Sequence, residues 1–196
     1  MIAEELEIIK ALEDQNEFKA AFDRYETLYA DHPLNFNLWQ HYFFLTWYLR
    51  VHEGEVTSSE FNTQNGVLRK MLSLAKVSNP DFEKMADYHF IIGYAQRMFP
   101  YHFGDYLLIE EIGKRHMNTC LEIDSENLIY QKFDAGFSNE NESFVFSKNP
   151  FKIAWWVFTA GLRFYKYDKT SELAKAQISK RFSGKGVLNR YFSSLP

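Results

Sequence analysis

Cysteine is almost absent from this chain of 196 residues, which contains Cys120 and no other. An internal disulfide is therefore excluded, and so is a structural zinc site of the cysteine-rich type. The six histidines stand in neither the H-E-x-x-H nor the E-x-x-H order. Because helical zinc-protease and di-iron sites use those spacings, the sequence predicts no metal site and no cofactor.

Long apolar segments are also missing. The strongest candidate, residues 151–165, is too short to cross a bilayer and includes Lys152 and Arg163. The first ten residues, MIAEELEIIK, lack the basic start and the long apolar run of a secretory signal. From these absences we expect a cytoplasmic protein that does not interact with membranes.

An excess of basic residues is missing as well, since the formal net charge is −4. A negative balance argues against non-specific binding to nucleic acid, which needs a basic surface. The charges are uneven: residues 1–31 hold nine acids and three bases, whereas residues 163–196 hold eight bases and two acids. The two ends could pair with each other or with partners. Two separately solvated faces are the alternative.

What the chain has in quantity is aromatic side chains, which make up 18% of its residues. They are densest in the segment NFNLWQHYFFLTWYLR, Asn35–Arg50, which leaves little polar face on a helix. A helix that is apolar on nearly all sides is normally buried. The chain is also long enough to form one domain with a substantial core. We therefore expect a single domain, 1–196, organised around this aromatic helix.

Apolar residues at helical spacing, separated by Pro, Gly and Asn, predict an all-α fold. The expected helices cover 2–13, 17–31, 36–51, 59–77, 80–98, 104–122, a stretch that starts near 125, 150–165 and 170–182. Pro80 and Pro150 are placed in the first turn of their helices, where proline is tolerated. Residues 134–149 are expected as a polar loop. Residues 183–196 are expected as a tail that could dock through Val187, Leu188, Tyr191 and Phe192.

A short pattern recurs where three of these helices end. An apolar residue is followed three residues later by a second apolar residue, and five residues after that by Pro or Ser. The three copies are Tyr25-x2-Leu28-x4-Pro33, Leu72-x2-Ala75-x4-Pro80 and Met117-x2-Cys120-x4-Ser125. Together with Ala21 before Tyr25 and Trp39 after Pro33, this pattern resembles the tetratricopeptide repeat. The steps between copies exceed the ~34 residues of that family. The resemblance implies enlarged helical hairpins, roughly eight or nine helices in all, stacked in a right-handed solenoid.

In the family that the pattern resembles, the first helix of each hairpin lines a groove that binds another protein. The resemblance places these residues in the groove: Asn37, Gln40, Phe44, Trp47 and Tyr48, with Tyr94 and Arg97 from the fifth helix. The alternative is that Phe44, Trp47 and Tyr48 belong to the core. The basic residues that bind a peptide carboxylate in this family are missing from these positions, which argues against that ligand.

These features favour a non-enzymatic protein-binding module. A small acidic protein of this kind also resembles bacterial toxin-immunity proteins in general character, which implies an acidic surface that covers a basic toxin domain. The residues expected on that surface are Glu4, Glu7, Glu13, Asp14 and Glu17. One alternative is a nucleic-acid-associated regulator that uses the basic C-terminal segment. Another is an enzyme with an unrecognised helical site, which requires a pocket where two titratable side chains with shifted pKa values converge.

Overall fold

The computed structural model describes residues 2–52, 64–77, 79–140 and 169–195. Within these ranges every regular element is helical, which confirms the all-α prediction. The elements are α1 (Ile2–Asp14), α2 (Phe18–Asp31), α3 (Phe36–Val51), α4 (Gln64–Ala75), α5 (Ala86–Met98), a 3-10 helix (Pro100–His102), α6 (Tyr106–Ile123), α7 (Leu128–Glu140), α8 (169–181) and α9 (Val187–Ser194). The helix predicted at 150–165 lies outside the described residues. No helix in the described part of the chain has the length and apolar character needed to cross a bilayer.

Helix α3 forms the centre of the fold. Ten of its 16 residues are buried, and α2, α4, α5 and α9 all pack against it. Its start is fixed by Asn35, whose side-chain oxygen accepts a hydrogen bond from the Leu38 N–H at 2.9 Å. The Trp39 indole N–H donates to the Leu74 carbonyl at 3.1 Å. This hydrogen bond ties α3 to α4 and satisfies the polar atom of a fully buried ring.

Helices α1 and α2 form the first hairpin and cover one side of α3. In the turn between them, Asn16 adopts a left-handed conformation with φ 61°, which Asn tolerates better than most residues. Tyr25 stacks on Tyr42 of α3, with ring centroids 5.1 Å apart. Leu6 and Ile9 of α1 are buried as well. The hairpin therefore adds aromatic and aliphatic side chains to the same core.

Helices α5 and α6 approach each other closely because each has a glycine where they cross. A Cβ atom on Gly93 would lie 3.0 Å from the Gly113 carbonyl oxygen and 3.0 Å from the His116 Cβ. A Cβ atom on Gly113 would lie 2.8 Å from the Arg97 Cγ. Glycine is the residue that permits such close approach of two backbones. The pair sets the separation of α5 and α6, and with it the distance between neighbouring side chains on the two helices.

The C-terminal residues expected as a tail contain a helix, α9, which returns to the N-terminal part of the chain. Gly186, with φ 95°, lets the backbone turn into this helix. Phe192 is fully buried, and its ring centroid lies 5.3 Å from that of Phe44 and 4.8 Å from that of Phe182. Because α9 contacts α1 and α3, the two ends of the chain meet. In a linear solenoid each repeat contacts its neighbours alone, so this contact departs from that arrangement.

The predicted start of the fifth helix is wrong. Residues 80–84 form turns, and α5 begins at Ala86 after an extended Met85. The Asn79 side chain accepts a hydrogen bond from the Asp81 N–H at 2.9 Å, and such side-chain hydrogen bonds compete with helix formation. Phe82 is buried and lies 5.7 Å from the Trp39 ring. The local turn and this aromatic contact replace the helical turn that Pro80 suggested.

The polar loop predicted for residues 134–149 is wrong for its first part, because α7 continues to Glu140, and residues 141–149 lie outside the described residues. Phe137 is the reason for the longer helix. It is buried, its ring lies 5.7 Å from that of Tyr94, and the Arg97 guanidinium covers it at 4.4 Å. An aromatic contact with α5 outweighs the polar composition of the segment, since burial of a ring removes a large apolar area from water.

We expect Gly93→Ala to destabilise the protein, although alanine favours a helix by about 1 kcal/mol over glycine. The added methyl group would meet backbone and side-chain atoms of α6, and overpacking of this kind costs about 1–3 kcal/mol. Chemical denaturation followed by far-UV circular dichroism measures the difference. Ser73→Ala, at an exposed position of α4, is the control and should change stability by no more than about 0.5 kcal/mol. A more stable Gly93→Ala protein would contradict the close packing.

Candidate functional site

Three of the residues predicted for a binding groove lie in the core. Phe44 and Trp47 are 0% exposed and Tyr94 is 2% exposed. Their rings surround Tyr191 of α9, at centroid distances of 5.4, 5.5 and 6.1 Å. A partner could reach them only after α9 had moved away. The structure therefore corrects the groove prediction for these three residues, and the core alternative holds for Phe44 and Trp47.

Tyr48 and Arg97 are also engaged by neighbouring side chains. The Tyr48 ring stacks on His52 at 4.2 Å. The Arg97 side chain is 3% exposed and lies 3.6 Å from the Asp134 carboxylate. Both residues thus have a structural role that the groove interpretation did not include. The two remaining groove residues, Asn37 and Gln40, line a cleft.

We call this cavity the polar cleft; it has a volume of about 260 Å³ and lies where α1, α3, α5, α8 and α9 meet. Its polar lining consists of Lys10, Asn37, Gln40, His41, Asp87, Arg181 and Asn189, and Phe90 and Phe182 supply an apolar part. Gln40 donates to the Asn37 side-chain oxygen at 2.8 Å. Sequence reasoning missed this site because Lys10 and Arg181 come from opposite ends of the chain, and no local pattern links them.

A charged cluster closes one side of the polar cleft. Arg181 pairs with the Asp87 carboxylate through Nη2, and its Nη1 donates to the Tyr130 hydroxyl at 3.4 Å. The Tyr130 hydroxyl itself donates to Asp87. Burial lowers the pKa of Arg181, but Asp87 and Tyr130 raise it by more, so this pKa lies above its ordinary value. Arg181 stays charged, and the cluster joins α5, α7 and α8.

His41 lies in the wall of the polar cleft and is 4% exposed. Its Nδ1 atom has no hydrogen-bond partner among the described residues. Burial, together with the charge of Lys10, lowers the pKa of His41 to about 3. The ring is therefore uncharged at neutral pH, and its pKa is far from the value that suits a general acid or base there.

A second cleft, of about 490 Å³, lies between the end of α4 and helices α5 and α6, and we call it the His cleft. His89 and His116 meet here, with their Nδ1 atoms 2.9 Å apart. Burial, followed by the charges of His89 and Arg115, lowers the pKa of His116 to about 4. Both clefts hold titratable side chains with shifted pKa values, as the enzyme alternative requires. The shifts of His41 and His116 lead away from neutrality, which weakens a role in acid–base catalysis.

The acidic residues predicted for a partner surface have different surroundings. Glu13 is 1% exposed, and its Oε2 accepts a hydrogen bond from the Val187 N–H at 2.5 Å. Asp14 accepts one from the Gly186 N–H at 3.1 Å. Both carboxylates thus bind the N-terminal end of α9, where negative charge is favoured. The prediction is wrong for Glu13, which is buried, whereas Asp14 is exposed and also makes an internal contact. The other members of the set, Glu4, Glu7 and Glu17, are exposed.

The turn from α5 into α6 carries large apolar side chains at the surface. We call Met98, Tyr101, Tyr106, Leu107 and Leu108 the α5–α6 tip. Tyr101 and Leu107 are 60% and 73% exposed, and the other three are exposed as well. Consecutive helical residues point about 100° apart, so three of them cover most of the circumference of a helix. Because residues 106–108 are all exposed, the first turn of α6 projects from the rest of the fold. In the sequence, these residues cannot be told from core residues.

Comparisons with known proteins give no relative for this chain, since no protein-family model, no curated protein and no solved structure matches it. The resemblances to tetratricopeptide repeats and to immunity proteins therefore stay predictions. A function has to be inferred from the clefts and surfaces of the chain itself.

We expect Glu13→Gln to change how stability depends on pH. Burial raises the pKa of Glu13 from 4.5 to about 7, so the folded protein binds this proton more tightly than the unfolded chain. Wild-type stability therefore contains a favourable contribution below pH 4.5 that is lost as the pH rises to about 7. Glutamine stays neutral and keeps an oxygen for the Val187 N–H. Between pH 5 and pH 8, the free energy of unfolding of Glu13→Gln relative to that of wild type should therefore rise by at most about 3 kcal/mol.

Denaturant unfolding of both proteins at the two pH values measures this gain. Glu17→Gln removes a charge from an exposed residue near the same hairpin turn and should leave the pH dependence unchanged. If Glu13→Gln and wild type keep the same stability difference at both values, Glu13 does not titrate in the folded protein as described.

We expect Asp87→Asn to destabilise the protein because it leaves the Arg181 guanidinium without its carboxylate. Loss of one partner of a fully buried pair costs about 3–5 kcal/mol. Since the two side chains are 26% and 36% exposed, solvent screening reduces this to about 1–2 kcal/mol. The matched control is Asp81→Asn, which removes the exposed pair with Lys84 and should cost less than about 0.5 kcal/mol. Equal effects of the two variants in urea denaturation would contradict a structural role for the cluster.

Proposed function

We propose that this protein is a helical protein-binding module that contacts its partner through the α5–α6 tip. The observation that carries the proposal is the joint exposure of Tyr101, Tyr106, Leu107 and Leu108, on two elements that pack against each other. Large contiguous apolar patches are rare on soluble monomers and mark interaction sites. Tyrosine is enriched at interfaces because its ring is apolar while its hydroxyl can hydrogen-bond.

Charged residues near the tip indicate the chemistry of the partner. Asp105 and Glu111 are exposed, while Glu110 lies 3.9 Å from Lys114, the one base in residues 105–114. The pKa of His102 lies below its ordinary value because of burial and the charge of Arg50. Residues 105–115 carry three acids, Asp105, Glu110 and Glu111, against two bases, Lys114 and Arg115, so the rim of the tip is weakly acidic. A protein with an apolar patch and a basic rim matches it, since complementary charges speed association and suppress wrong partners.

This partner chemistry includes the basic toxin domain of the narrower, immunity-protein hypothesis. The exposed residues Glu4, Glu7 and Glu17 would add to the attraction of such a partner. Acidic side chains at a rim act mainly on the rate of association and on specificity. Apolar and aromatic side chains supply most of the affinity, so we infer that the tip forms the primary contact.

The proposal also includes a relation between helices α1–α3 and tetratricopeptide hairpins. Ala21, Tyr25 and Trp39, which carry the sequence resemblance, are fully buried, and Leu28 packs against the core. These burials support a common packing pattern over residues 2–50. In this chain the side of α3 that faces Tyr191 and Phe192 is covered by α9. A partner would therefore bind outside the groove that the family uses.

The two alternatives have less support. Among the bases of the C-terminal segment, Arg181 pairs with Asp87 and Arg190 lies 3.8 Å from Asp14, which reduces the charge available to nucleic acid. For an enzyme, His41 in the polar cleft and His116 in the His cleft have pKa values of about 3 and about 4, far from the neutral range in which acid–base catalysts work.

We expect Leu107→Glu to weaken binding of the partner at least tenfold without loss of stability, because Leu107 is exposed in the free protein and a charge at an interface centre is costly. A photo-reactive amino acid at Leu107 first captures the partner in expressing cells. Titration calorimetry with the purified partner then gives the dissociation constants of wild type and variant.

Leu34 provides a matched control, since it is 77% exposed and precedes α3, whereas the tip lies near Arg50 at the other end of that helix. A photo-reactive group there should capture nothing, and Leu34→Glu should bind like wild type. Equal effects at positions 34 and 107 would reject the tip as the contact, and so would a complex that consists of two copies of this chain.

A further inference from the structure

His89 on α5 and His116 on α6 form a pair that apolar packing does not explain. Their Nδ1 atoms are 2.9 Å apart and their ring centroids 5.1 Å apart. Both rings line the His cleft, which opens to solvent. Two imidazole nitrogens at this distance need one hydrogen between them, because each nitrogen is either a donor or an acceptor. In the hydrogen bond between the two rings, the lone pair of one Nδ1 atom therefore faces the N–H group of the other.

The Glu83 carbonyl fixes which nitrogen of His89 holds the lone pair. Its oxygen lies 2.9 Å from His89 Nε2, and because a carbonyl accepts, Nε2 donates. In the uncharged ring, Nδ1 of His89 is therefore an acceptor directed at His116. Histidines that bind metals are oriented in this way, with the second ring nitrogen donating to a carbonyl or carboxylate.

The helix packing holds the two rings in place. Gly93 lies one turn after His89, Gly113 lies just before His116, and these two glycines set the separation of α5 and α6. The Tyr88 ring packs against both imidazoles, at centroid distances of 5.3 and 6.1 Å. Packing and the hydrogen bond to the Glu83 carbonyl thus limit the positions that the two rings can take.

We propose that His89 and His116 bind a divalent first-row transition-metal ion, such as Cu²⁺, Ni²⁺ or Zn²⁺, through their Nδ1 atoms. Imidazole is a preferred ligand of these ions. Bonds of about 2.0–2.1 Å separate two nitrogens by about 2.9 Å at a right angle and by about 3.3 Å at the tetrahedral angle. The observed separation of 2.9 Å is that of the hydrogen bond. A right angle at the ion, as in square-planar or octahedral coordination, keeps this separation, and each ring then turns so that its Nδ1 lone pair points at the ion.

Binding requires a change of tautomer. In the metal-free pair the His116 Nδ1–H donates to His89 Nδ1. When the ion binds, this proton leaves Nδ1 for water, and His116 takes a proton from water at Nε2, so the ring stays neutral and the ion keeps its charge.

The remaining coordination positions belong to water or to an external ligand. Among residues 2–52, 64–77, 79–140 and 169–195, no group of three or more His, Cys, Asp or Glu side chains could hold a metal ion. A site with two protein ligands binds less tightly than a closed four-ligand zinc site and keeps open positions. The His cleft gives solvent access to these positions, and the bound ion would connect α5 to α6.

Titration of untagged full-length protein with Cu²⁺, Ni²⁺ and Zn²⁺ salts tests the proposal by calorimetry. We expect one-to-one binding by wild type and at least tenfold weaker binding by His89→Ala and by His116→Ala. The control is His32→Ala, which removes an exposed ring at the end of α2 and should bind like wild type. Unchanged affinity in His89→Ala or His116→Ala overturns the proposal, and so does the lack of binding by wild type at millimolar metal.

A second measurement needs no variant and decides the question if the variants do not fold. Nitrogen-15 NMR of wild-type histidine rings, with and without Zn²⁺, reports the state of each ring nitrogen. We expect Zn²⁺ to shift Nδ1 of His89 and of His116, to place the proton of His116 on Nε2, and to leave His32 unchanged. Shifts confined to other histidines, or no shifts at all, would overturn the assignment.

Discussion

Helix α3 is apolar on almost every side, so water has to be excluded from its whole circumference. Four described helices do this, and one of them, α9, comes from the far end of the chain. Phe44 and Trp47 illustrate the consequence: both were expected in a binding groove, and both contact Tyr191 of α9. The face of α3 that the resemblance assigned to a groove is covered in this chain by its own helix α9.

The attachment of α9 depends on two carboxylates at the other end of the chain. Glu13 and Asp14 accept hydrogen bonds from the N-terminal N–H groups of α9, which neutralises part of the helix dipole. The buried position of Glu13 opposes its ionisation and raises its pKa to about 7. On folding, the hydrogen bond from Val187 stabilises the protein, whereas the burial of the Glu13 charge destabilises it. The uneven charge distribution along the sequence acquires a physical meaning here, because an acidic start and a basic end meet inside one fold.

Once α3 is covered, the features left for function lie at the edges of the fold. The α5–α6 tip exposes aromatic and aliphatic side chains that the core does not use, and we propose this tip as the contact with a basic partner. The His cleft owes its histidine pair to the glycines Gly93 and Gly113, which bring α5 and α6 together. The polar cleft combines residues from both ends of the chain. The charged side chains of this cleft are paired with neighbours, as Arg181 is with Asp87. These pairs stabilise the packing of the five helices that line the cleft.

The sequence by itself determined the helical class, the central position of α3 and most helix boundaries, because these follow from local periodicity, Asn35 as a cap and the breakers between segments. It could not determine which face of a helix stays exposed. Leu107 and Phe44 look alike in a sequence, yet one is 73% exposed and the other 0%. Tertiary structure alone decided that α9 returns to α1, that Glu13 is buried and that His89 meets His116. These contacts join residues far apart in the chain, and their free energy depends on what else is buried beside them.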